Sequence, residues 1–366
     1  MTIKKILIPL VLIVVIILGW NNQTKKSNTQ SETSSKPVIK IGATLPITGN
    51  LGLFGTTMKK GMKLAIEELN SNPNNTFTYK LFAENNEMTS KLARNNALKL
   101  INVEKVNVIF TAFALPAKTI EKIAEANKVI AFHTTLGGAP LDGKYGLNNF
   151  PTGTSEGQKL IEFINKNNYK NIAVISVQLD GLLEVKAELK KRLPKEKYQI
   201  YNILPDERHA SITVAKIKEQ SPDLIVALTM PPITEIFSKE MMLQKISTPI
   251  VGIEFYNNSP ELFKVLSDYH TIGIGNGSEE YMKKYGGRTY WSVFGYDDVN
   301  IISQAYESLG LVDGKIPNSE AVLEKLHEIK NFKGEVGNLV LDERGQFHST
   351  PILMRVKNGK EMIIND

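Results

Sequence analysis

Residues 38–70 read VIKIGATLPITGNLGLFGTTMKKGMKLAIEELN. The eight residues Val38–Leu45 form a nearly continuous apolar run, closed on either side by Pro37 and Pro46. That is the length and character of a strand buried on both faces. A glycine-rich stretch follows, and the chain then takes up a different period. Met58, Met62, Ala65, Ile66 and Leu69 recur at the spacing of one helical face, which predicts a helix over 59–70. Strand, loop and amphipathic helix in that order form the repeating unit of an α/β fold.

The same unit recurs downstream. Strands are expected at 77–83, 106–111 and 128–134, with helices at 89–103 and 116–126 between them. Thr89 suits an N-cap, and Pro116 sits in a first turn, where its missing N–H has no intrahelical partner to lose. A second series then starts, with helices at 155–168, 182–193, 209–220 and 233–243, and strands at 172–177, 198–204, 224–229 and 249–253. Strands alternating with helices of this length predict parallel sheets flanked by helices, here in two Rossmann-like lobes that divide near residue 150. The tail departs from the rhythm. Two helices (298–309 and 319–330) precede two strands (336–341 and 351–356), expected as an antiparallel pair joined through the turn 342–345. In such sheets ligands lie beyond the carboxyl ends of the strands, which directs attention to loops 46–55, 111–116, 133–139, 178–181, 229–232 and 254–257.

The chain has 366 residues, a net charge of +6 and no cysteine. Five lysines against one glutamate before residue 38 account for most of that charge. The remainder lacks the concentrated basic face that nucleic-acid binding requires. Without cysteine there are no disulfides, thiolate nucleophiles or thiolate metal ligands. At the start, Lys4 and Lys5 precede an apolar run from Ile6 to Trp20. It reads as a signal peptide or a short membrane anchor over 1–20, with everything after it outside the cytoplasm. The run ends like the lipobox of bacterial lipoproteins, except that Trp20 stands where the lipidated cysteine belongs. Residues 21–37 are polar and read as a disordered tether with a mean reach of about 20–25 Å.

Motifs for catalysis are weak. Gly153-Thr154-Ser155-Glu156-Gly157 matches the nucleophile-elbow pattern, yet the preceding residues make a poor strand, and Ser155 fits better as a helix N-cap. The glycines of 273–277 do not have dinucleotide-binding spacing and read as a crossover loop. None of the five histidines has zinc-protease spacing; His133, at a strand end, is the one placed to face a cleft. No cofactor or metal is expected. Glu254 directly follows a strand, and is either an exposed loop residue or a cleft carboxylate for a cation.

Taken together, 39–70, "VNVIFTAFALPAKTIEKIAEANKVIAFHTT" (106–135), "SPDLIVALTMPPITEIFSKEMMLQKISTPIVGIE" (221–254) and "FKGEVGNLVLDERGQF" (332–347) resemble, in order, the branched-chain amino-acid (leucine/isoleucine/valine) binding proteins of ABC transporters. The resemblance spans nearly all of 38–360. It implies a type I periplasmic-binding fold whose lobes are joined by a three-strand hinge and close on the ligand. Lobe 1 would comprise 38–153 plus 275–330, and lobe 2 would comprise 154–274 plus 331–366. It also implies roles for individual residues: Glu254 for a substrate ammonium, Thr135 or Thr134 for its carboxylate, and Phe54 as the first-loop aromatic. Ala112 and Phe113 lie in the third-strand loop, where Phe113-Ala114-Leu115-Pro116 replaces a serine cluster. Asp180 replaces a tyrosine, Met230-Pro231 replaces an aromatic, and Gly153-Thr154 stands near the position of a second acidic group. These departures point to a ligand other than a free branched-chain amino acid. The expected protein is a monomer outside the cytoplasm, partnered by an amino-acid-like small molecule, an ABC permease and the membrane. The alternatives are a sensing module without transport, or a serine hydrolase using Ser155.

Overall fold

In the computed structural model, the described residues are 36–137, 141–203, 207–253, 262–275, 277–286 and 291–364. The expected leader, nearly all of the tether, and Glu254 lie outside them. The strands in chain order are β1 (Val38–Leu45), β2 (Thr78–Asn85), β3 (Val108–Ala112), β4 (Ile130–Thr134), β5 (Gly146–Asn149), β6 (Ile172–Ser176), β7 (Tyr198–Asn202), β8 (Leu224–Leu228), β9 (Ile250–Ile253), β10 (Asp268–Gly273), β11 (Asn331–Gly334), β12 (Gly337–Leu341), β13 (Gln346–His348), β14 (Ile352–Lys357) and β15 (Lys360–Ile363). The helices are α1 (Gly52–Ser71), α2 (Ser90–Lys99), α3 (Ala114–Asn127), α4 (Gly153–Lys166), α5 (Asp180–Arg192), α6 (Glu207–Gln220), α7 (Ile233–Leu243), α8 (Leu262–Val265), α9 (Glu279–Tyr285), α10 (Ser292–Leu309) and α11 (Ser319–Ile329).

Two sheets result. The first runs β11-β12-β13-β5-β4-β3-β1-β2, and the second β15-β14-β10-β9-β8-β6-β7. The interior pairs are parallel, as the alternation of strands and helices requires. Every residue of β3, β4, β6 and β8 is buried, because helices cover both faces. In each sheet the first strand in sequence sits inside the order: β1 lies between β3 and β2, and β6 between β8 and β7. Successive crossovers therefore leave in opposite directions and open a crevice at the carboxyl ends of β1 and β6.

The chain crosses between the sheets three times, after β5, β10 and β13. The lobe boundary expected at residue 331 needs correction. β11, β12 and β13 complete the first sheet, and only β14 and β15 join the second. Aromatic packing explains the placement: the Phe347 ring stacks on Phe132 of β4 at 5.7 Å, and Phe332 meets Phe347 edge-on at 5.4 Å. The turn at 342–345 consequently joins β12 to β13, with the Asp342 carboxylate accepting from the N–H groups of Arg344 and Gln346. The two strands expected as one antiparallel pair end in different sheets.

The helix caps show one agreement and one difference. The Thr89 hydroxyl accepts from Leu92 N–H, as expected. Thr152 rather than Ser155 caps α4; its hydroxyl accepts from Ser155 N–H, and Ser155 Oγ donates to the Thr152 carbonyl. At the crossing of α1 and α10, a Cβ on Gly61 would lie 1.9 Å from the Ser292 carbonyl oxygen, and one on Gly295 would lie 2.1 Å from that of Met58. Only glycine permits so close a backbone approach.

Candidate functional site

A cavity of about 850 Å³ lies at these crevices, between the carboxyl ends of strands from both sheets. The first lobe contributes residues 48–51 after β1, and Glu87 and Met88 after β2. The second contributes residues 177–179 after β6, Ile203 after β7, and residues 230–233 after β8. The wall is largely apolar, with Leu51, Met88, Val177, Leu179, Ile203, Met230 and Ile233 on it. Thr48, Asn50 and Gln178 supply polar groups, and Glu87 is the sole ionisable side chain among the described lining residues. Volume and composition suit a small organic ligand.

Beside this cavity the lobes touch. A Cβ on Gly181 would fall 2.1 Å from the Leu136 carbonyl oxygen, so residue 181 must be glycine for this backbone contact to form. Lys118 of α3 and Asp180 of α5 form an exposed ion pair at 2.6 Å across the same seam. Beyond the seam, toward the hinge, lies a polar cavity of about 540 Å³, whose walls include Asp142, Thr154, Glu184, Arg344 and His348.

The residues singled out in the sequence fall into distinct environments. Met230 lines the large cavity. Phe54 and Phe113 are buried in an aromatic cluster. Phe113 stacks on Trp291 at 5.1 Å and meets Phe54 edge-on at 5.5 Å. Phe113 holds φ 68° and ψ 146°, a conformation that costs a non-glycine residue about 1–3 kcal/mol, so the packing around its ring must hold it there. Ala112 is fully buried in β3. His133, rather than facing the cleft, is fully buried against Glu121, its Nε2 2.7 Å from the carboxylate. Thr134 donates to Asp298 at 2.9 Å, and Asn149 donates to the other carboxylate oxygen at 2.7 Å. Burial pushes the Asp298 carboxyl well above the usual range, against the opposing effect of these two bonds. The Thr135 hydroxyl donates to the Gly137 carbonyl at 3.2 Å. Asp180 sits in the seam. Thus the buried threonine hydroxyls bond within lobe 1, and the described candidates do not converge on one point.

Sequence reasoning found three of the loops around the large cavity but missed Glu87, Met88 and Ile203, because the ends of the flanking strands β2 and β7 were not considered. The signal was present in Asn85-Asn86-Glu87-Met88, a polar turn directly after a strand. Among the described residues no group of three or more His, Cys, Asp and Glu is placed to hold a metal, and no helix is long and apolar enough to cross a membrane.

A search of curated protein sequences finds no match. Solved structures match the fold over most of the chain. A leucine-binding protein from Thermotoga maritima is 20% identical, with a TM-score of 0.77 over 89% of this chain and 98% of its own. A branched-chain amino-acid transporter substrate-binding protein from Streptococcus pneumoniae, in complex with isoleucine, is 17% identical, with a TM-score of 0.79 over 90% and 100%. An ABC-transporter solute-binding protein from R. palustris, in complex with benzoate, is 16% identical, with a TM-score of 0.76 over 90% and 96%. At these identities the likeness establishes the type I periplasmic-binding fold. The sequence itself matches the family model for periplasmic binding proteins over residues 38–256, more than half of its length, and the chain belongs to that family.

Proposed function

We propose that this protein captures a small solute between its two lobes and hands it to an ABC importer, without catalysing a reaction. The observation that carries this reading is the cavity of about 850 Å³, built from strand ends of both lobes. A ligand touching both walls has contacts in the closed state that the open state lacks, and so shifts the population toward closure. Structural neighbours bound to isoleucine and to benzoate support the class of function and leave the ligand open between amino acids and aromatic acids. The resemblance in sequence favours an amino acid or related compound, with Glu254, the residue after β9, on its ammonium. Export and tethering by the apolar run from Ile6 to Trp20 belong to the same reading and rest on the sequence alone. Ser155, whose hydroxyl donates to a carbonyl of its own helix turn, gives a hydrolase no support.

A thermal-shift screen over amino acids, amines and aromatic acids, followed by small-angle scattering, tests the proposal. A solute at 100 times its Kd should stabilise the fold by about 2.7 kcal/mol. The radius of gyration should fall on saturation. An unchanged radius with a saturating ligand would overturn the closure mechanism. Docking of the loaded protein to a reconstituted permease separates transport from sensing.

A further inference from the structure

Among the described residues, the wall of the large cavity carries one charge. Glu87 projects from the turn after β2, where Glu87 and Met88 hold φ of 48° and 57° in succession. Non-glycine residues rarely occupy the left-handed region, and two in a row need external support. Two asparagines supply it. Asn86, fully buried, accepts from Met88 N–H at 3.0 Å and donates to the Thr44 carbonyl at 2.9 Å. Asn85 Oδ1 accepts from Glu87 N–H at 3.2 Å and from Ile47 N–H at 2.9 Å, and its Nδ2 donates to Thr48 at 2.7 Å. The turns after β1 and β2 are thereby locked together as one wall of the cavity. The Glu87 carboxylate forms no ion pair among the described residues, and its one hydrogen bond, from Asn85, is long at 3.5 Å.

The described part of the same wall offers no complementary charge. No Lys, Arg or His lines the cavity among the described residues. The threonine hydroxyls expected to take a ligand carboxylate are buried and bonded within lobe 1. Among the described lining residues an anionic ligand would therefore meet a like charge and no counter-charge, while a cation would meet an exposed carboxylate at the edge of an apolar chamber. Closure would strip water from that pair and strengthen it.

We propose that Glu87 is the charge-selecting residue of this cavity and that its ligand presents an ammonium on an apolar body, rather than being an anion. This rests on the reading of the cavity as the solute site. The test uses probes that share one body: 2-phenylethylamine, 2-phenylethanol and 3-phenylpropionate, titrated calorimetrically against the full folded protein and its Glu87→Gln and Glu87→Lys variants. The amine should bind most tightly to the parent. Glu87→Gln should weaken it at least tenfold and leave 2-phenylethanol within twofold. Glu87→Lys should reverse the preference between amine and propionate. Because the side chain is exposed, both variants should keep the parent's melting temperature. Equal or tighter binding of 3-phenylpropionate by the parent, amine binding unchanged by Glu87→Gln, or no binding of any of the three would each overturn the assignment. Closure on a solute from the wider screen would still stand in all three cases, so the two readings fail separately.

Discussion

Two cavities flank the seam where Leu136 meets Gly181, and they differ in both chemistry and position. The larger is apolar, carries a single carboxylate among its described lining residues, and lies where the strand order of each sheet reverses. The smaller is polar, holds charges of both signs, and lies by the crossings between sheets. Ligand capture needs a surface desolvated by closure, and the apolar chamber has one. A hinge needs groups that keep their water and neighbours while the lobes move, and the polar chamber is lined by such groups. In the proposed function, position relative to the seam, rather than volume alone, distinguishes the capture chamber from the hinge chamber.

The sharpest break in this comparison comes from filling one chamber and stripping the other. Leu179 is 40% exposed at the mouth of the large cavity, so Leu179→Trp should fold normally and weaken the solute found by screening by about a hundredfold, as measured by calorimetry. Arg344→Ala in the polar cavity should change that affinity by less than about twofold. Equal losses in the two variants would erase the distinction.

Thr134→Val separates binding from support. It leaves the buried Asp298 carboxyl without one of its donors and should lower unfolding free energy by about 1–3 kcal/mol in urea, with affinity unchanged. A loss of affinity with no loss of stability would instead return Thr134 to the ligand site. Gly181→Val puts atoms where Leu136 lies and should hold the lobes apart. Affinity should fall about tenfold, and the radius of gyration with solute should exceed that of the parent. The smallest effect is expected from Lys118→Ala. The pair it breaks is about half exposed on both sides, so the loss should be at most about 1 kcal/mol and should vanish in high salt.

The alternating rhythm from Val38 to Ile253 was legible because buried parallel strands and amphipathic helices leave different periods in the chain. The tail was not. Whether 337–341 pairs with 346–348 or with 352–357 depends on Phe347 finding Phe132, more than 200 residues away, and no local pattern encodes that contact. The site was legible only as loops. Position at a strand end marked Met230, which lines the large cavity, but equally marked His133 and Thr134, which turn inward to Glu121 and Asp298. Which way a strand-end side chain faces depends on buried partners brought in by other elements. Glu87 escapes sequence reasoning for the opposite reason: its turn is set locally, by Asn85 and Asn86, after a flanking strand rather than a central one.

The late strands have a consequence for synthesis. Each sheet gains its final strands from residues 331–363, and α1 is held by a helix that begins 221 residues after Ser71. Neither lobe can be completed on the ribosome while those residues are still untranslated. The strands β1–β5 and β6–β10 can pair with one another earlier, but the flanks of β5 and β10 stay without their partners β13 and β14 until those residues have been made.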